Sequence, residues 1–212
     1  MLDDIEVFDI KARSVRPVWI TVSIPADAPA GEYASTVKVY VKGRQLRTFD
    51  IGLTVIGREL PPPAEWNYYL DLWQHPAAVA RVEGLDLWSD AHFEALVPYM
   101  RLLADAGQKV VTTTLNKDPW NNQCFDAYAD MIVWTKNADG SWSYDYTVFD
   151  RWVELMTGLG IDRTINCYSM LPWNNELHYR DGSTGRFVDV TADPGTPAFA
   201  APGSIFPWKK AA

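Results

Sequence analysis

Apolar and polar residues alternate through residues 17 to 56. In VWITVSI, Val18, Ile20, Val22 and Ile24 fall on one face, and in YASTVKVYV so do Val37, Val39 and Val41. PADAPAGEY supplies a turn between these runs, KGRQ supplies the next, and LRTFDIGLTVIG gives a third run. Period-two alternation with turn residues at this spacing is the signature of an antiparallel sandwich. Three or four strands do not close one, so residues 1–58 read as the C-terminal part of a β-sandwich. ELPPPAEW follows, and its three consecutive prolines favour a stiff, extended linker over 59–65.

Beyond the linker the period changes. WNYYLDLW (66–73) reads as a first strand. Ser89 is placed to cap a helix reaching Ala106, with Phe93, Leu96, Val97, Met100 and Leu103 at helical spacing and Gly107 behind them. Pro98 inside that helix predicts a kink, and His92 in its first turn is assigned to the solvent face. KVVTTTL (109–115) is a second strand. MIVWTKNADGSWSYDY is a hairpin with Asp139-Gly140 at its tip. Thr147 caps a second helix with Phe149, Trp152, Val153, Met156 and Leu159 on one face, and Gly160 ends it. TINCYSML (164–171) is a third strand, and the Ala/Pro/Gly-rich tail over 188–212 reads as a loop. Strand–helix–strand–helix–strand order implies parallel pairing with right-handed crossovers. Tryptophans at all three strand ends favour a barrel over an open sheet, because barrel sites are built at the C-terminal strand ends. The predicted fold is therefore multi-domain β plus α/β: the end of a β-sandwich, then about three βα units of an incomplete (β/α)8 TIM barrel over 66–212.

The candidate chemistry gathers at those strand ends. One cluster holds Asp71, Trp73, Gln74, His75 and Pro76. A second holds Asn116, Lys117, Asp118, Trp120, Asn121 and Asn122. The third, in PWNNELHY, holds Trp173, Asn174, Asn175, Glu176, His178 and Tyr179. Sugars lay their C–H faces on aromatic rings, and their hydroxyls bond side chains that both donate and accept. The expected substrate-binding residues are Trp73, His75, Asn116, Trp120, Trp173, Asn174, Asn175 and Glu176. Glu176 is a possible acid, but a glycosidase of the usual kind needs a second carboxylate about 5 to 9.5 Å away. Asp71 and Asp118 are candidates that no spacing marks.

Bulk properties narrow the classes. Net charge is −8 and no basic stripe occurs, so nucleic acid is a poor partner. No apolar run approaches the roughly 20 residues that span a bilayer. H-E-x-x-H, P-loop, G-x-G-x-x-G and G-x-S-x-G motifs are absent, and His75, His92 and His178 lack metal-ligand spacing, so no cofactor or metal is expected. Cys124 and Cys167, far apart, read as buried free thiols. Sugar binding without catalysis, or a purely structural domain, are the competing classes.

VWITVSIPADAPAGEYASTVKV, YYLDLWQHP, WSDAHFEALVPYMRLLADAG, DGSWSYDYTVFDRWVELMTGLGI and INCYSMLPWNNELHY together resemble glycoside hydrolase family 123 and, more broadly, the related DUF4091 proteins. The resemblance runs from about residue 15 to 197. It implies a bacterial β-sandwich plus (β/α)8-barrel enzyme of the exo-β-N-acetylgalactosaminidase type, acting on N-acetylhexosamine-containing glycans. It implies a substrate-assisted, retaining mechanism, in which the 2-acetamido oxygen attacks the anomeric carbon while an adjacent Asp-Glu pair orients it and protonates the leaving oxygen. It also implies an extracytoplasmic location. The sequence holds no Asp-Glu dipeptide, and Glu176 matches PWNNELHY instead of that pair. No catalytic residue is carried over, and the chain reads as an inactive fragment of such an enzyme.

Overall fold

The computed structural model describes residues 7–168 and 172–191. It divides into two compact units, 1–60 and 61–212, each taken by itself below.

In the first unit, β1 (Gly31–Val41) and β2 (Arg44–Val55) form an antiparallel hairpin. Lys42 and Gly43 both have positive φ, 49° and 74°, as a tight two-residue turn requires. Tyr33, Val37, Ile51, Leu53 and Val55 share one face, and they line an open apolar groove with Ile20, Val22 and Ile24. The expected strand over 18–24 does not form. Those residues pair with no ladder and only flank the groove, so alternation there marks a face without a hydrogen-bonding partner.

In the second unit, α1 (Pro76–Glu83) precedes α2 (Asp90–Asp105), β3 (Val110–Thr114), β4 (Val133–Lys136), β5 (Trp142–Asp145), α3 (Thr147–Gly158), β6 (Thr164–Tyr168), β7 (Glu176–Asp181) and β8 (Phe187–Thr191). β3 and β6 pair in parallel, Val110 opposite Thr164 through Thr114 opposite Tyr168. A four-stranded sheet runs β5-β4-β7-β8. α1 was not anticipated, although Pro76 at its first position and Gly84 in left-handed backbone after it are both helix-end signals. The β7–β8 hairpin was also missed. The tail loop expected from Val188 instead begins inside β8; the part of the tail beyond Thr191, like residues 169–171 of the expected third strand, lies outside the described residues. Among the described residues no helix is long and apolar enough to cross a membrane.

The expected first strand is replaced by a side-chain device. Leu70 makes one parallel bridge to Gln108. Beyond it the Gln108 amide receives the Leu72 N–H at 2.9 Å and donates to the Leu72 carbonyl at 3.1 Å. Gln74 receives the Thr112 N–H at 2.7 Å and donates to the Val110 carbonyl at 3.2 Å. Both glutamines are 2% exposed. Two buried amides thus satisfy backbone groups that a strand ladder would pair.

The core is Phe93, Leu96, Met100, Val111, Met131, Trp152, Met156 and Ile161. It joins one stripe each of α2 and α3 to β3, and the Trp152 indole donates to the Thr112 carbonyl at 3.0 Å. Ser89 caps α2, accepting from the His92 N–H, and the helix runs on through Pro98. Gly107 follows at φ 85°, where a Cβ would meet the Trp66 ring at 3.2 Å and the Pro63 carbonyl at 3.3 Å. α3 starts differently from expectation: Thr147 is its first residue, and the Asp145 carboxylate accepts the Thr147 N–H at 2.9 Å. The two cysteines are free and exposed, not buried, because Cys124 lies in a surface loop and Cys167 on the open face of β6.

His92 is fully buried, not solvent-facing. Its Nδ1 accepts the Trp88 N–H at 3.0 Å, so Nε2 carries the proton donated to the Pro76 carbonyl at 3.0 Å. That bond holds Trp88 in left-handed backbone (φ 63°), an uncommon conformation for an aromatic residue. Burial pushes the imidazole pKa below its ordinary value, against the opposing pull of the Pro76 carbonyl. The unfolded chain therefore binds a proton that the folded chain resists. This stability contribution is full above the ordinary histidine pKa of about 6.5 and falls as pH drops below it. His92→Gln should flatten that part of the stability–pH curve, which urea unfolding at stepped pH measures. Leu96→Ala should cost about 2–5 kcal/mol of unfolding free energy in the same assay.

Candidate functional site

At the C-terminal ends of the parallel segments the aromatic rings converge. Trp73 and Trp120 stack with centroids 4.7 Å apart and planes inclined 26°. Tyr168, the last residue of β6, tilts against both, at 5.2 Å from Trp73 and 4.8 Å from Trp120. Tyr128 meets Trp120 edge-on at 4.6 Å and stacks on His75 at 3.8 Å. Trp120 is 5% exposed and Trp73 is 49% exposed, so Trp120 supports while Trp73 presents a free face. Burial, followed by the nearby Cys124 and Asp118, pushes the Tyr128 hydroxyl pKa up to about 12. His75 Nε2 bonds the Asp126 carbonyl at 2.9 Å. The Asp126 carboxylate takes Arg81 of α1 at 2.7 Å, which holds that carboxyl pKa below its usual value and pins the loop after β3 to α1.

A polar cavity of about 100 Å³ is built from the same loop and from β7 and β8. The β7–β8 register sets His178 opposite Asp189. His178 Nδ1 lies 2.7 Å from the Asp189 carboxylate, and Lys117 Nζ lies 3.3 Å from it. Burial pushes the Asp189 pKa up, but the hydrogen bonds from His178 and Lys117 outweigh it and hold the carboxyl below its ordinary range. Asp130 moves the other way: burial raises it, against the opposing charges of His178 and Lys117. Glu176 opens β7 and faces the cavity. Its N–H donates to Asn174 Oδ1 at 3.1 Å, and Asn174 Nδ2 donates to its carboxylate at 3.3 Å. Asp118, Asn121, Asn122 and Asn175 all have φ between 47° and 58°, a left-handed conformation that Asn and Asp tolerate best. Asp118 accepts the Asn122 N–H at 2.6 Å, which closes the loop.

The sequence candidates thus separate. Trp73, Trp120 and His75 join one aromatic wall, and Asn174 and Glu176 line the adjoining cavity. Asn116 is fully buried and fully used: its amide donates to the His178 carbonyl and accepts the His178 N–H, both at 2.9 Å. Gln74 is likewise spent on backbone. Asn175 forms the turn into β7, its N–H bonded to the Pro172 carbonyl at 2.8 Å. Trp173 is 67% exposed; its N–H reaches the Pro119 carbonyl at 3.0 Å, and its ring stays outside the cluster. Asp71 bonds Asn166 at 3.4 Å. Sequence reasoning missed Tyr128, Tyr168, Asp130 and Asp189. FVDVT alternates, and a DGSTG turn precedes it, so the β7–β8 hairpin and with it Asp189 were recoverable; the Tyr128 and Asp130 positions follow only from the loop fold.

The model of the glycoside hydrolase 123 catalytic domain matches residues 73–206. The chain belongs to glycoside hydrolase family 123. The family 123 N-terminal domain model matches residues 1–41. A solved structure of a family 123 glycoside hydrolase from Clostridium perfringens, described in terms of glycolipid glycan hydrolysis, is 30% identical with a TM-score of 0.74. That likeness covers 86% of this chain and 33% of the Clostridium chain. No curated protein matches.

Asn116→Ala should leave both His178 backbone groups unpaired and cost at least about 2 kcal/mol. Chemical denaturation reads the loss, and a variant as stable as the parent would show that Asn116 does not clasp β7.

Proposed function

We propose that this chain contributes the substrate wall of a glycosidase acting on terminal N-acetylhexosaminides, β-N-acetylgalactosaminides above all. In this reading residues 1–58 belong to a β-sandwich, 59–65 link it, and residues from 66 onward supply the opening βα units of a (β/α)8 barrel. The observation that carries the proposal is the exposed Trp73 face, backed by Trp120, flanked by Tyr168, and placed where the parallel segments end. A pyranose presents axial C–H bonds to such a ring, and edge groups nearby take its hydroxyls. The adjoining cavity adds Asn174 and Glu176 as hydrogen-bonding partners.

The family resemblance implies substrate-assisted chemistry through an adjacent Asp-Glu pair, and the 212 residues contain none. Glu176 is tied to Asn174, and Asp189 is tied to His178 and Lys117. Neither has a neighbouring acidic residue in sequence to divide the work of orienting an acetamido group and donating a proton. General acid help is worth about 10²- to 10⁴-fold, so these residues alone bind the sugar and do not turn it over.

The 212-residue chain should bind N-acetylgalactosamine weakly by calorimetry and release no nitrophenol from nitrophenyl N-acetyl-β-galactosaminide. Trp73→Ala should weaken binding about 2- to 10-fold, the worth of one aromatic contact. Turnover that Glu176→Gln abolishes would overturn this reading.

A further inference from the structure

Opposite the aromatic wall, at the N-terminal ends of the same strands, two cations line one cavity. Lys109 immediately precedes β3 and Arg163 immediately precedes β6. The register that sets Val110 against Thr164 makes them neighbours, and the Thr164 N–H bonds the Lys109 carbonyl at 3.2 Å. Lys109 is only 6% exposed. Two of its three N–H donors reach the Pro63 and Ala64 carbonyls, at 3.1 and 3.0 Å. Neither cation has an ion-pair partner among the described residues. Both line a cavity of about 290 Å³ with Asn67, Tyr68, Tyr69 and Thr164, and the Tyr69 hydroxyl donates to Thr164 Oγ1 at 3.0 Å.

A buried ammonium is costly unless opposite charge or several hydrogen bonds compensate it. Here carbonyl dipoles supply part of that compensation. In a chain of net charge −8, two cations with no ion-pair partner among the described residues line one cavity whose lining holds no carboxylate. We propose that Lys109 and Arg163 form an oxyanion-binding site, taking a sulfate, phosphate or carboxylate group. The guanidinium offers a fork of donors to two oxygens, the third Lys109 N–H offers another, and Asn67 offers an amide. Tyr68 and Tyr69, 67% and 57% exposed, give an aromatic rim, so an anionic group carried on a sugar ring fits as well as a free ion. The site needs neither Trp73 nor Glu176 and stands apart from the saccharide wall.

The 212-residue chain is titrated by calorimetry with sodium sulfate, with N-acetylgalactosamine 6-sulfate and with N-acetylgalactosamine, in low-chloride buffer. Sulfate should bind, and Arg163→Ala, an exposed position that leaves the fold intact by circular dichroism, should weaken it about tenfold, the loss of one charge-assisted contact. Added salt should weaken it further. A sulfated sugar binding more tightly than sulfate, with the excess lost in Tyr68→Ala, identifies a glycan substituent as the source; equal affinities identify the free ion. Sulfate affinity unchanged in Arg163→Ala, or no sulfate binding at millimolar concentration, overturns the site. Because Trp73→Ala should leave sulfate binding untouched, failure here is distinct from failure of the saccharide wall.

Discussion

Two buried glutamines set the geometry on which the site depends. Gln108 and Gln74 bond the backbone of Leu72, Val110 and Thr112 across the gap that a strand ladder would otherwise close. A buried amide left unpaired costs about 1–3 kcal/mol, so neither glutamine tolerates a shift of the segment by a residue. The register fixed in this way delivers Trp73 to the end of β3, where Trp120 stacks beneath it. The same parallel pairing of β3 with β6 brings Tyr168 level with both. Packing below, through Trp152 and Met156 of α3 and Leu96 of α2, holds β3 in place from the opposite side.

From that frame the polar half of the site follows by hydrogen bonding and not by packing. The loop after β3 carries three left-handed residues, and Asp118 and Arg81 hold it closed at its two ends. Asn116 then clasps β7 by its backbone, and cross-strand pairing with β8 sets Asp189 under His178 and Lys117. Within the cavity His178 and Lys117 pair with Asp189, and Glu176 pairs with Asn174. This arrangement suits a wall that orients a ligand.

Much of this was legible in the residues. Ser89, Gly107 and the 3.6-residue stripe of α2, the Asp139-Gly140 tip and the β-branched run of β3 are strong local signals, and each element lies where its signal places it. The misses share a cause. VWITVSI alternates as a strand should, but alternation reports a face and not a hydrogen-bonding partner. WNYYLDLW was read as a strand because nothing local distinguishes a ladder from a pair of glutamine side chains 34 residues apart. His92 looked like a first-turn surface residue; only the tertiary approach of Pro76 and the strained Trp88 gives its ring two backbone partners. Asn116 and Gln74 had the chemistry of sugar ligands, and the fold spends that chemistry on its own backbone. Trp73 and Trp120, by contrast, stack on each other, while Trp173, expected at the same rim, lies outside the cluster.

The central claim is that the exposed Trp73 ring, positioned by the glutamine pair, is a platform for a pyranose face. Saturation-transfer difference NMR with N-acetylgalactosamine tests it most directly. The account predicts that transfer is strongest to the C–H protons of one ring face, and that it falls several-fold in both Trp73→Ala and Gln74→Leu while a folded core remains by circular dichroism. Transfer spread evenly over the sugar, or undiminished in Trp73→Ala, would contradict it.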